Sequence, residues 1–258
     1  MSRTLTILHS GWASARALAR GGRRTDALAL IDRLLSRPDL PTPLAADAHR
    51  LAGELELNAE RYTAARRHLR AAAALEPNHA QTHYRLGLAQ ERDPHGDDRR
   101  AAVRFKKASE SEPGNPLYRA AFGRAAVRCD RVKAGVRALL AAADAAPGDV
   151  PVLRVVVGGL LEAGKPAAAR RVVAHARFLC PDSRELGGLW EQVRFESARR
   201  RQQNERSKQD APFATDGEFV LLPFVRVVGG GSGKAGVIRR DRMSKPRPHL
   251  PRPHRAGR

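Results

Sequence analysis

Cysteine, aromatic residues and lysine are all scarce in this chain of 258 residues. The two cysteines, Cys129 and Cys180, show no C-x-x-C spacing and have no companion histidines, which excludes a disulfide framework or a zinc knuckle. No window reaches the roughly 18 apolar residues of a membrane span. The N-terminal stretch MSRTLTILHSGWASARALARGG lacks the sustained apolar segment of a signal peptide, so a soluble, cytoplasmic protein is expected. Aromatics make up only 5% of the chain. A thick globular core leans on large side chains, which bury the most apolar area, so this composition argues against one. Alanine takes their place, in runs such as Ala71-Ala72-Ala73-Ala74. It is the best helix former and packs helices closely, which points to an all-helical chain of thin layers.

The charge is one-sided. The formal net charge is +20 and the pI about 11.4, a balance that suits an acidic partner or nucleic acid. Only seven of the 47 basic residues are lysine, and alanine, glycine and proline are plentiful. That skew equally matches a GC-rich genome.

Prolines reveal an internal period. Pro77, Pro113, Pro147 and Pro181 are spaced by 36, 34 and 34 residues, each at the end of a helical pattern, where proline acts as a stop. Aligning the units on these prolines brings further columns into register. Leu69, Phe105, Leu139 and Val173 form a large apolar column. It is preceded by the small residues Ala65, Ala101, Gly135 and Ala169, and followed by Ala72, Ala108, Ala142 and Ala176. Separations of three and four residues place all three columns on one helical face, a single large knob between small neighbours. In the first half of the units Gly53, Gly87 and Gly123 share a column, with Val157 in that place in the last. Glycine there marks a close approach between two helices. Each unit is thus read as two antiparallel helices that bury their faces only by stacking on neighbouring units.

This pattern resembles the tetratricopeptide repeat. The resemblance implies an all-α solenoid, a right-handed superhelix of helix pairs, with units at 46–79, 80–115, 116–149 and 150–183. The two extra residues of the unit 80–115 are placed in the turn PHGDD. A weaker unit spans about 8–38, carried by Trp12, Ala15, Ala27, Ile31, Leu34 and Pro38, with 39–45 (DLPTPLA) as an inserted loop. Residues 184–207 read as a last helix whose apolar face, Leu186, Leu189, Trp190 and Val193, caps the open end. The sequence departs from the family pattern early in each first helix. His49, His83, Arg119 and Leu153 stand where a large aromatic is expected, so the core is thin.

From about residue 208 the pattern stops. Residues 229–258 hold nine Lys or Arg against one acid, Asp241, and KPRPHLPRPHR favours extended polyproline conformation and disorder. The apolar stretch GEFVLLPFVRVV (217–228) is expected to pack on the solenoid end or on a partner. GGGSGKAG (229–236) resembles a phosphate-binding loop only in part. Val228 replaces the first glycine, Ala235 replaces the magnesium-binding hydroxyl, and no helical pattern follows, so a flexible linker is the default reading.

His79 and His83, four residues apart, are read as a turn residue and a packing residue rather than as metal ligands. Nothing in the sequence brings a catalytic constellation together, so no enzymatic activity and no cofactor are expected. In the tetratricopeptide architecture the first helices line the concave surface. This implies a groove containing Arg50 and Glu54; Gln81, Tyr84, Arg85 and Leu88; Arg124 and Arg128; and Arg154 and Leu161. Arginine forks suit carboxylates, so the expected role is a scaffold that binds a protein or peptide, acidic or C-terminal in character. The alternative reading of these arginines is a solvated face. The Lys/Asn carboxylate clamp of co-chaperone members is missing, with Leu51 and Glu54 where its asparagine-type contacts would be sought. The alternative function is non-specific, salt-sensitive association of the basic tail with nucleic acid.

Overall fold

The computed structural model describes residues 2–209, and every element among them is an α-helix. The basic tail, the apolar stretch 217–228 and the glycine-lysine segment 229–236 lie outside the described residues. In chain order the helices are α1 (Ser2–Arg20), α2 (Arg24–Leu35), α3 (Thr42–Asn58), α4 (Tyr62–Leu75), α5 (Ala80–Glu91), α6 (Asp98–Ser111), α7 (Pro116–Arg128), α8 (Val132–Ala145), α9 (Val150–Glu162), α10 (Pro166–Leu179) and α11 (Arg184–Gln209). They form five antiparallel pairs and a single last helix. All substantial helix–helix packing is within a pair or between adjacent pairs, as a solenoid of stacked units requires.

The columns read from the proline register are the core of each pair. Leu69, Phe105, Leu139 and Val173 are buried, and so are the alanines that flank them. The glycines opposite are there for want of room. A Cβ on Gly53 would lie 2.5 Å from the Leu69 side chain, and one on Gly87 would lie 2.5 Å from the Phe105 ring. One on Gly123 would lie 2.9 Å from Leu139. In the last pair Val157 faces the same core as Val173, two medium side chains replacing one large and none. The thin core is therefore a set of glycine-against-knob contacts repeated along the array.

The turns inside the pairs share one geometry. Gly22, Glu60, Asp130 and Gly164 all adopt the left-handed region, with φ between 60° and 75°. The next residue's N–H reaches back five positions, from Arg23 to Leu18, Arg61 to Glu56, Arg131 to Ala126 and Lys165 to Leu160. This satisfies carbonyls that the helix end leaves open. The pair α5–α6 differs, because its connection runs through Arg92–Asp97 and holds the extra residues. Gly96 is required there, since a Cβ would fall 1.8 Å from the carbonyl of Gln90.

Two boundaries depart from the sequence reading. The segment 39–45, expected as a loop, is helical from Thr42, because Pro43 falls in the first turn of α3, where its missing N–H costs nothing. The N-terminal pair is also longer than its sequence unit, with α1 beginning at Ser2. At the other end Leu186, Leu189 and Val193 of α11 are buried in the same core as α9 and α10. Trp190 sits at the edge, under the Arg177 guanidinium at 5.4 Å.

Candidate functional site

The first helices α3, α5, α7 and α9 follow one another along one side of the array. α3 touches α5, and α7 packs tightly on α9, whereas α5 and α7 meet chiefly through side chains. The Tyr84 ring is one of these, with its centroid 5.0 Å from that of Tyr118 and 5.7 Å from that of Phe105. One turn further along α5 a cleft of about 280 Å³ remains. Leu88, Ala121 and Val155 supply its apolar walls, and Glu91, Arg124 and Arg128 its rim, with Arg92 beside them. Spacings of four and seven residues put Tyr84, Leu88 and Glu91 on one helical face.

The rim is an ion-pair network that joins three successive units. Arg128 donates to Glu91 of α5 at 2.8 Å and to Glu162 of α9 at 3.0 Å. Arg124 donates to Glu162 at 3.0 Å. Burial works against ionisation of Glu162, yet hydrogen bonds from Arg128 and Arg124 outweigh it and hold the carboxyl below the ordinary glutamate range. Burial likewise disfavours charge on Arg128, and the bond to Glu162 overrides it. Two arginines and two glutamates thus neutralise one another beside the apolar cleft.

The other residues expected in the groove fall into three classes. Arg50 is largely buried and bonded to Glu76 at 2.6 Å and to Asp47, and Arg85 pairs with Glu54 of the preceding unit at 2.8 Å. Gln81 and Arg154 are exposed. Leu161 is only 7% exposed and belongs to the core, because the face of α9 next to α10 and α11 carries it inward. Tyr84, Leu88, Arg124 and Arg128 come together at the cleft. Glu91, Glu162, Ala121 and Val155 were not singled out from sequence. The spacing Tyr84-Leu88-Glu91 was the available signal for Glu91, whereas Glu162 needed the α7–α9 packing.

Four of the histidines are engaged by the chain itself. His79 caps α5, its Nδ1 accepting from the Thr82 N–H at 3.3 Å, and the His83 Nε2 donates to the Pro77 carbonyl at 2.8 Å. His49 and His68 meet through their Nδ1 atoms at 3.2 Å. Among the described residues, no three His, Cys, Asp or Glu side chains are placed to hold a metal ion. No described helix is long and apolar enough to cross a membrane.

Paired helices, neighbour-only packing and the glycine–knob register together define an α-α solenoid with a tetratricopeptide-like fold. Solved structures agree on that fold. The chain is similar to TTC0263, a thermophilic TPR protein in Thermus thermophilus, at 16% identity and a TM-score of 0.55, covering 73% of this chain and 99% of that one. It is similar to MamA at 15% identity and a TM-score of 0.55, covering 69% and 92%. It is also similar to YrrB, a TPR protein with an unusual peptide-binding site, at 19% identity and a TM-score of 0.51, covering 67% and 86%. No protein-family model and no curated protein matches the chain.

Proposed function

We propose that this protein is a non-enzymatic scaffold that binds a peptide segment of a partner protein along its first helices, with the α5–α7–α9 cleft as the anchor point. The observation that carries this reading is the cleft among α5, α7 and α9, where Leu88, Ala121 and Val155 are left open beside fixed charges. YrrB, which shares the fold, is described as having a peptide-binding site, and that likeness supports the same use of the scaffold here. The self-neutralised rim refines the partner expected from composition. Arg124 and Arg128 are already paired, so a purely acidic peptide would have to displace Glu91 or Glu162. A segment that inserts one apolar side chain between Leu88 and Val155 and carries charges of both signs on either side needs no such displacement. Arg154, exposed one residue before Val155, offers a contact for a carboxylate.

Selection from a displayed peptide library on the full chain tests this. Val155→Phe fills the cleft from its far wall without adding a charge that would compete for Glu91 or Glu162. Selected peptides should share an apolar anchor and lose about tenfold or more in affinity for the variant, equivalent to about 1.4 kcal/mol. Peptides that bind wild type and variant equally would remove the cleft from the function. Loss of binding on deletion of the tail alone would favour the charge-driven alternative.

A further inference from the structure

A second concavity lies away from the first-helix face, between the start of α10 and the C-terminal half of α11. Its volume is about 560 Å³, inside the range of roughly 300–1,000 Å³ typical of small-molecule sites. Gly164 and Pro166 form one side, and Arg170, one turn into α10, forms its floor. From α11 come Arg199, Arg200 and Arg201, opposed by the single acid Glu196. Four guanidinium groups against one carboxylate leave a net lining charge of +3.

These arginines are not equivalent. Arg200 is locked, its Nε on Glu196 at 3.0 Å and its terminal nitrogen on the carbonyl of Leu161. Arg199 takes a longer contact to the same carboxylate at 3.7 Å. Arg170 and Arg201 make no ion pair among the described residues, and the Arg170 Nε is shielded from solvent without a hydrogen-bond partner. A buried N–H donor on a cation without an acceptor is costly, and an arriving anion would relieve it. This is a different electrostatic condition from the first-helix cleft, in which Arg124 and Arg128 share Glu91 and Glu162.

We propose that this α10–α11 cleft binds a phosphorylated small molecule, its phosphate dianion held by Arg170 and Arg201 beside the fixed Arg200. A phosphate presents three acceptor oxygens and up to two charges, which matches donors arriving from two helices better than a single carboxylate does. The proposal is independent of peptide binding at the α5–α7–α9 cleft.

Calorimetric titration of the full chain with pyrophosphate tests it, with citrate as a carboxylate of comparable charge. The double variant Arg170→Gln/Arg201→Gln retains the whole tail, and Arg247→Gln/Arg252→Gln removes two tail charges while retaining the cleft. Saturable one-to-one binding of pyrophosphate is expected, weakened about tenfold or more in the cleft variant, as loss of charged hydrogen bonds implies, and unchanged in the tail variant. Arg201→Gln alone, at an exposed position, should still weaken binding measurably, which guards against a folding defect in the double variant. Absence of binding, equal loss in the tail variant, or citrate binding as tightly as pyrophosphate would each overturn the proposal. So would a single-stranded oligonucleotide that binds more tightly than pyrophosphate and depends on the same two arginines, since the ligand would then be a polymer.

Discussion

Glycine has opposite meanings at different positions of this chain. At Gly87 there is no space for a methyl group, because the Phe105 ring lies 2.5 Å from where it would go. Gly188, in the second turn of α11, has nothing within 4 Å of that point. Gly87→Ala should therefore destabilise by about 1–3 kcal/mol through overpacking, despite the better helix propensity of alanine. Gly188→Ala should stabilise by about 0.5–1 kcal/mol. Denaturant midpoints of the two variants check both signs, and a stabilised Gly87→Ala would show that the knob contact is not tight. At the turns the reasoning reverses. Glu60 and Asp130 hold φ of 60°, where a side chain is strained and glycine is not. Glu60→Gly and Asp130→Gly should each add about 0.5–1 kcal/mol, after allowing for the extra freedom glycine gives the unfolded chain.

Among the helices, the pairing of charges decides which arginines hold the array and which are free to meet a partner. Arg128 ties α7 to both α5 and α9, and Glu91 beneath it is only 14% exposed. Arg128→Ala should cost about 1–2 kcal/mol, the penalty of leaving half-buried carboxylates without their partner, discounted for partial exposure. Arg154→Ala should stay within about 0.5 kcal/mol of wild type, since it removes no ion pair. Thermal melts compare the two, and equal losses would mean that the network contributes nothing to the stack. The helices themselves were legible from sequence, because their columns repeat every 34 or 36 residues and the large and small positions alternate at helical spacing. The ion pairs were not. Glu91 and Glu162 stand 71 positions apart, and only stacking brings them onto the same two guanidinium groups.

For the whole described array, acid is the condition that should loosen it, beginning in the second and third helix pairs. Burial is the main influence on His49, His68, His79 and His83, and it holds all four below the ordinary imidazole range. Around the His49–His68 contact Arg67 adds to that effect, while Asp32 from the preceding pair and Glu56 oppose it in part. A histidine with a lowered folded-state pKa is neutral in the native chain and protonates more readily when unfolded. Its contribution to stability is thus complete above about pH 6.5 and is lost as pH falls through that value toward the folded pKa. The melting temperature should drop between about pH 7.5 and about pH 5.5, and His68→Gln should reduce the drop. A flat profile would show that the imidazoles protonate without disturbing the α3–α4 contact. Deleting α11 should also destabilise the array, because Leu186, Leu189 and Val193 complete the core of the last pair. A chain ending at residue 183 that melts at the wild-type temperature would remove its role as a cap.

Sequence alone determined the repeat, the number and order of helices and the buried columns. These depend on local spacing and on side-chain volume, and both are written residue by residue. Even the inner glycines could be assigned, since a large apolar knob recurs 16 or 18 residues after each. Only the tertiary structure decided the character of the surface. Arg85, Arg124 and Arg128 read as a free basic stripe until stacking gave each a carboxylate from a neighbouring unit. Leu161 read as groove until the α9 face turned it into the core, and Arg170 became distinctive only when the start of α10 met α11. Charge acts through distance in space, and in a solenoid that distance is set by how one unit lies on the next.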